Sequence, residues 1–524
     1  MRLSTFTAAA AALAATATYG ASSACSPDTF TPPSILGVEF IGITANEEHS
    51  FTRVSLPPGT LDGATYTVDF CNITATYTHR GWNDTINVNV WLPLKGWNER
   101  LWALGGGGYS SSFGSLYLTQ AVGKGYVAIA TDSGHSASLQ TAESLDWALS
   151  SPGNLDLELV EDWGYRAFGE LATIGKNITE DFYAQLPTYS YFSGCSGGGR
   201  QAMMIAQRFP ADYDGILAVA PAVNIQKFLP AAYWAQQVMG DHGVYPSPCE
   251  VDAFTAEAVS ACDGLDGLVD GIVSTPSLCN FTAHSVVGKE FTCNGTTCRL
   301  SPAGATVVQA VWTGPSSPSG DISSPGLSLD ASLTTTYILT TCLSNGTCSA
   351  SNSDLVSSWI GTFVAKDPSF TLSGTTDEEF FDYLRISQRD FASSFAAADD
   401  DFSAFRKAGG RLLSWQGLAD ETIPKVNSEY YDKVLHVDPQ VQDYYRFFEA
   451  PGVGHCEGGA GPLPNGAFDQ LIAWVENSTV PEVLHAGSGN SSRPLCPYPS
   501  VQTFTGHTLS GGPSFKCMPA SIGL

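Results

Sequence analysis

The sequence is short of charge, and of positive charge above all. Only 14% of its 524 residues are charged, and 24 basic residues stand against 51 acidic ones, a formal net charge of −27. Nucleic acids and anionic membranes are held by clustered Lys and Arg, so this deficit excludes both as partners. Beyond the N-terminus no run reaches the roughly 18 uninterrupted apolar residues of a bilayer-spanning helix, and no membrane anchor is expected. No internal repeat is found. Glycine, at 53 residues, is plentiful, with Ser and Thr, and the 43% apolar content supplies a sizeable core. That mix suits a secreted, glycosylated protein. At about 100–200 residues per domain, the length predicts two or three domains, or one large α/β domain with an insertion.

The N-terminus fits that address. Arg2 is a minimal basic region, Phe6 to Ala15 a short apolar one, and Ser22-Ser23-Ala24 a small-residue cleavage site. Residues 1–24 therefore read as a signal peptide, with an Ala-rich structural helix as the alternative. Eight Asn-x-Ser/Thr sequons follow, at Asn72, Asn83, Asn177, Asn280, Asn294, Asn345, Asn477 and Asn490. In that setting 13 cysteines are a disulfide framework. Proximity pairs Cys293 with Cys298 and Cys342 with Cys348, while Cys25–Cys71 and Cys496–Cys517 would staple the two ends. An odd count leaves a thiol over, expected to be Cys249.

Strand-like, Thr-rich sequence from about Cys25 to Val90 leads into an α/β pattern. Strands are expected at Arg100–Leu104, Tyr126–Ala130, Tyr189–Ser193 and Gly215–Ala220, with helices at Leu159–Lys176 and Gly198–Phe209. Residues 222–405 then turn Ser-, Thr-, Gly- and Cys-rich with weak periodicity. A structureless loop of that length does not belong in a compact fold, so the segment reads as an inserted lid domain. The pattern resumes with strands at Arg411–Trp415 and Tyr444–Phe448 and helices at Lys425–Val434 and Phe468–Glu476. A catalytic domain of residues 25–221 and 406–524 thus flanks the insert.

Gly194-Cys195-Ser196-Gly197-Gly198 matches G-x-S-x-G between an expected strand and an expected helix. That context puts Ser196 on a nucleophile elbow, where small neighbours relieve a strained turn. The helix beyond it favours developing negative charge. The alternative is a Gly-rich turn that serves packing alone. A serine nucleophile needs a base, and in this architecture the orienting acid and then the His follow it along the chain. Asp420 comes just after the strand at Arg411–Trp415 and just before a helix. Glu421 is its competitor, disfavoured because the shorter Asp sits closer to the strand end. Of the histidines that follow, His455 lies on a Gly-flanked loop, whereas His436 falls at a helix end. His135, in Asp132-Ser133-Gly134-His135, precedes the serine and either lines the pocket or serves a turn. The oxyanion donors are expected to be the amide of Gly197 and one from the run Gly105-Gly106-Gly107-Gly108, at Gly106 or Gly107. That run is not a P-loop, because no Gly-Lys-Ser/Thr follows it.

Within the insert, Asp263, Asp266 and Asp270 alternate with glycines. So many carboxylates in one short loop repel unless they share a cation. With carbonyls from Leu268 and Ile272 they suit Ca²⁺, although the spacing is not that of an EF-hand. A solvated acidic turn is the alternative. Cys262 and Cys279 bracket the loop as an expected disulfide.

Cys195 immediately precedes Ser196, and Cys456 immediately follows His455. With Trp97-Asn98-Glu99-Arg100, Asp132-Ser133-Gly134-His135, Gly194-Cys195-Ser196-Gly197-Gly198-Gly199-Arg200 and Gly454-His455-Cys456, the chain resembles the tannase and feruloyl esterase family from about Cys25 to the C-terminus. The resemblance implies an α/β-hydrolase fold with a lid inserted between nucleophile and acid, a Cys195–Cys456 disulfide, and a structural Ca²⁺ in the lid. No organic cofactor is expected. It also implies hydrolysis of aromatic carboxylic esters. Hydroxycinnamate esters of plant cell-wall sugars (ferulate, p-coumarate, caffeate) are favoured over galloyl esters, because no adjacent basic pair lies within 222–405 as in tannases cut there. A non-catalytic binding protein of this fold and a serine peptidase are the readings from other classes. An intact Ser196, Asp420 and His455 opposes the first, and the cysteine neighbours oppose the second.

Overall fold

The computed structural model describes residues 25–55, 62–135, 138–317, 324–351, 353–487, 492–507 and 513–519. The expected signal peptide, at 1–24, and the sequon at Asn490 lie outside them. The Thr-rich N-terminal stretch forms an antiparallel meander of β1 (Val38–Val54), β2 (Thr65–His79) and β3 (Ile86–Pro93). Six strands follow that are parallel to one another: β4 (Arg100–Leu104), β5 (Val127–Thr131), β6 (Tyr189–Cys195), β7 (Gly215–Val219), β8 (Arg411–Gly417) and β9 (Tyr445–Ala450). They are almost wholly buried, which is why they read as apolar runs rather than as alternations.

The sheet order is β1-β2-β3-β5-β4-β6-β7-β8-β9. The chain enters at β4, moves outward to β5, then jumps back to β6 on the other side of β4. The C-terminal ends of β4 and β6 thus flank a topological switch point, where an open α/β sheet leaves a crevice for a ligand. Helices α1 (Ser115–Gly123), α2 (Ala167–Tyr183), α3 (Gly197–Arg208), α4 (Val426–Val437) and α5 (Ala467–Asn477) cover the two faces. One core gathers α2, α3 and α4 through Phe168, Met203 and Tyr431, and the other gathers α1 and α5 through Leu118 and Leu471. This is the expected α/β-hydrolase architecture.

The chain leaves the sheet after β7 and re-enters at β8, its parallel neighbour. Contrary to the weak periodicity, the intervening segment is framed by helices, among them Trp234–His242, Pro248–Cys262, Pro302–Thr313 and Asp377–Phe395. Local capping starts three of them. Ser247 and Ser301 accept the amides of Glu250 (3.2 Å) and Gly304 (2.9 Å), each followed by a proline at the first helical position. Thr376 and Glu379 form a reciprocal capping box. The apolar core of the insert is continuous with Tyr109, Leu145, Val160 and Trp163 of the hydrolase part. No helix among the described residues is long and apolar enough to cross a membrane.

Six disulfides form: Cys25–Cys71, Cys195–Cys456, Cys249–Cys293, Cys262–Cys279, Cys342–Cys348 and Cys496–Cys517. The expected Cys293–Cys298 bond is absent, and Cys298, not Cys249, is the free thiol. The hairpin register is the reason. Cys293 faces Thr296 and Cys298 faces Phe291, so the two cysteines are diagonal across the ladder rather than opposed. Cys249, at the start of its helix, instead brings its Cα within 5.9 Å of that of Cys293. Of the sequons, Asn83, Asn280, Asn294, Asn345 and Asn477 are exposed, while Asn72 and Asn177 are half-buried with the amide oxygen inside the protein.

Candidate active site

Ser196 follows directly on β6 and opens α3, with φ 62° and ψ −120°, a conformation that L-residues rarely adopt. Neighbouring backbone enforces it. The Ser196 amide donates to Val219 O (3.0 Å), and its carbonyl accepts from Ala222 N (3.1 Å) and Arg200 N (2.9 Å). A Cβ on Gly194 would lie 2.5 Å from the Gly198 backbone, and one on Gly198 2.5 Å from Gly106 O. The glycines of the pentapeptide are therefore set by close packing of main chain on main chain.

Asp420 lies just beyond β8, almost fully buried. Its Oδ1 accepts the amides of Thr422 (2.9 Å) and Ile423 (2.8 Å), which leaves Oδ2 to accept from His455 Nδ1 (3.0 Å). His455, on the loop after β9, turns Nε2 to the hydroxyl of Ser196 at 2.9 Å. The three side chains singled out by sequence order thus meet in one relay, Ser196 and His455 lying 259 residues apart along the chain. The Cys195–Cys456 bond joins the neighbours of Ser and His, Cα to Cα 6.0 Å.

Glu421 does not orient the imidazole. Its Oε2 accepts the backbone amide of His455 (3.0 Å) and so fixes the loop that carries the base. Only its adjacency to Asp420 hinted at a role. Burial opposes a charged imidazole at His455, but the charge and hydrogen bond of Asp420 outweigh it and Glu421 adds to them, so the group sits above the ordinary histidine value. A base must be neutral to accept a proton, so the acid limb of kcat/KM is expected above pH 6.5. In Glu421→Gln that limb moves to lower pH while the alkaline plateau stays within about threefold. Glu421→Ala, which also frees the loop, loses roughly tenfold at the plateau. A pH profile of both variants checks this.

Of the expected oxyanion amides, those of Gly106 and Gly107 need correction. Gly106 N donates to Gln201 Oε1 (3.1 Å) and Gly107 N to Ser110 O (3.2 Å), so both are spent. The next residue, Gly108, has φ +56°, and its nitrogen lies 3.2 Å from where a Cβ on Gly197 would stand. A Cβ on Gly108 itself would meet Ala142 O at 2.2 Å. Gly197 opens α3, where an amide has no partner within the helix. His135 is a brace rather than part of the relay. It lies between Tyr109 O (3.0 Å) and Ser133 O (3.4 Å), stacks on Trp147, and is pushed down to about 4 by burial. His436 is exposed at the end of α4.

The chain matches the sequence profile of the family described as "Tannase and feruloyl esterase" over residues 71–518. The chain belongs to that family. It is 35% identical to a "Probable feruloyl esterase" of Arthroderma benhamiae, across 93% of this chain and 92% of that one. It is 28% identical to the tannase of Aspergillus oryzae, across 87% and 86%. Its fold superposes on the tannin acyl hydrolase from Aspergillus niger with a TM-score of 0.84 at 26% identity, covering 94% of each chain. The tannase and feruloyl esterase family is one of carboxylic ester hydrolases, and this protein is such an enzyme.

In the insert, Asp263 accepts the amides of Asp270 and Gly271 (3.0 Å each), Asp266 that of Leu268 (2.9 Å), and Asp270 that of Ile272 (3.3 Å). Arg493 pairs with Asp270. Asp266 Oδ2 is buried without a partner, which leaves a hard oxygen ligand pointing inward. The three carboxylates do not close into a trio of oxygens within 4.8 Å. Ca²⁺, which takes six to eight oxygens with carbonyls among them, tolerates that spread. The residues therefore fit such an ion.

Proposed function

We propose that the protein hydrolyses hydroxycinnamic esters, of ferulic, p-coumaric and caffeic acids, through an acyl-enzyme. The observation that carries the mechanism is the unbroken relay from Ser196 through His455 to Asp420. His455 takes the Ser196 proton as Oγ attacks the ester carbonyl. Asp420 holds the imidazole in the tautomer that presents Nε2, and it stabilises the imidazolium. The amides of Gly197 and Gly108 hold the oxyanion, and water then releases the acid. The insert walls the acyl pocket. Its Thr336 and Tyr337 contact Thr422 beside the acid (3.2 and 3.3 Å), and its Leu355 O accepts from Tyr109 beside the Gly run (2.5 Å).

Preference for hydroxycinnamates rests on the 35% identity to the Arthroderma relative and on the insert's lack of an adjacent basic pair. The close superposition on the Aspergillus niger tannin acyl hydrolase favours a second reading, galloyl esters. Methyl ferulate, methyl caffeate and methyl gallate assayed side by side decide between them. A kcat/KM for the gallate at least tenfold above the other two would reverse the proposal.

We further propose that Asp263, Asp266 and Asp270, with the carbonyls of Leu268 and Ile272, hold a structural Ca²⁺. Such an ion would neutralise the loop and fasten the insert. EDTA is expected to lower Tm by several degrees, with recovery on adding Ca²⁺ but not Mg²⁺. Asp266→Asn should abolish that recovery, as read by scanning calorimetry.

A further inference from the structure

A second cluster of ionisable groups takes no part in the ester chemistry. It joins His79, the last residue of β2, Asp84 in the turn to β3, Asp162 in the π-turn Asp162–Arg166 that precedes α2, and Glu170 within α2. All four are buried, and Asp162 is 0% exposed. Glu170 Oε1 accepts from His79 Nε2 (2.8 Å), and its other oxygen accepts from the Tyr77 hydroxyl (2.6 Å). Asp84 Oδ1 accepts from the His79 amide (3.0 Å) and the Thr78 hydroxyl (2.7 Å). These contacts turn His79 Nδ1, Asp84 Oδ2 and Asp162 Oδ1 toward one point. Nδ1 is hydrogen-bonded to the first oxygen at 2.5 Å and lies 3.7 Å from the second.

Asp162 is the anomaly. Neither of its carboxylate oxygens accepts a hydrogen bond, although both are buried. Arg166, on the same turn, pairs with Glu161 and lies over the Trp82 ring. Three carboxyl groups crowd one imidazole, and a carboxylate buried without a donor is strongly disfavoured. Among the described residues this is the group whose three ligand atoms fall within 4.8 Å of one another.

We propose that His79 Nδ1, Asp84 Oδ2 and Asp162 Oδ1 bind a first-row divalent transition cation, Zn²⁺ foremost. Ligands about 2.0–2.2 Å from a common centre stand roughly 3–4 Å apart, so the 3.7 Å gap to Asp162 already fits, while an ion would displace the proton between His79 Nδ1 and Asp84 Oδ2 and open that pair by about 1 Å. One imidazole with two carboxylates suits Zn²⁺ or Mn²⁺, whereas Ca²⁺ takes oxygens alone. Glu170 on Nε2 supplies the outer carboxylate that fixes a metal-ligating histidine in the tautomer exposing Nδ1. The ion would tie the end of β2 to the start of α2. Its π-turn also seats the elbow helix, because the carbonyls of Trp163 and Gly164 accept from the Arg200 guanidinium (3.0 Å each).

The test is metal analysis of the full chain incubated with equimolar Zn²⁺ and dialysed against metal-free buffer. The expected result is one zinc per chain, reduced at least tenfold in Asp162→Asn with calcium content unchanged. Crystals of the wild type should show an anomalous peak at the zinc edge between His79, Asp84 and Asp162, which decides the matter even where the variant does not fold. Less than about a tenth of an equivalent in the wild type, equal zinc in Asp162→Asn, or a peak elsewhere overturns the proposal.

Discussion

Ser196→Ala is expected to fold normally and to lose about 10⁵-fold or more in kcat on any accepted ester, close to 7 kcal/mol of transition-state stabilisation. The substitution removes one oxygen and its 2.9 Å contact to His455. It leaves the elbow backbone alone, because the bonds to Val219, Ala222 and Arg200 that hold φ at 62° are all main-chain. What survives is the residual catalysis of the oxyanion amides and substrate binding. Steady-state rates beside a melting curve separate lost chemistry from lost fold. A variant with intact Tm and activity within tenfold of the wild type would remove Ser196 from the mechanism. Labelling by an organophosphonate should vanish in parallel.

Removing the Cys195–Cys456 bond as the double alanine variant is expected to cost about 10²-fold in kcat/KM and to lower Tm while leaving a folded enzyme. The bond closes a loop of 261 residues, for which chain-entropy models give roughly 5 kcal/mol of stabilisation. Its leverage on rate is geometric. Cys195 and Cys456 each sit next to a reacting side chain, and Cys456 has φ 63°, so the His loop is bent hard at the bond. A displacement of about 1 Å between Oγ and Nε2 is enough for a hundredfold loss. Matched kcat/KM and Tm measurements check this. A folded double variant with full activity would refute it.

The parallel strands were readable because burial on both faces leaves continuous apolar runs, and Ser196, Asp420 and His455 were readable because the fold fixes their order. The insert's helices are the part the sequence hides, for a definite reason. Its Ser-, Thr- and Gly-rich composition hid a helical period. Yet Ser247-Pro248, Ser301-Pro302 and Thr376 with Glu379 were helix-start signals that cap as such in the fold. The Gly106 part of the oxyanion assignment fails on what no sequence shows, that Gln201 reaches back 95 residues to occupy its amide. Cys249 and Cys298 changed places because proximity along the chain ignores hairpin register. Glu421 was weighed only as a rival acid, and its grip on the His455 amide exists only in three dimensions.

The insert departs after β7 and returns to β8, and its two ends meet where the Asn224 amide donates to Ala396 O (2.7 Å). That makes it a natural unit for exchange between relatives, since a graft there disturbs no strand order. The shared core with Tyr109, Leu145, Val160 and Trp163 sets the true seam. A chimaera cut only at the two strand ends would bring foreign side chains against that surface. One that also carries residues 139–166 together with Tyr109 would transplant both halves of the contact, and acyl preference should travel with it.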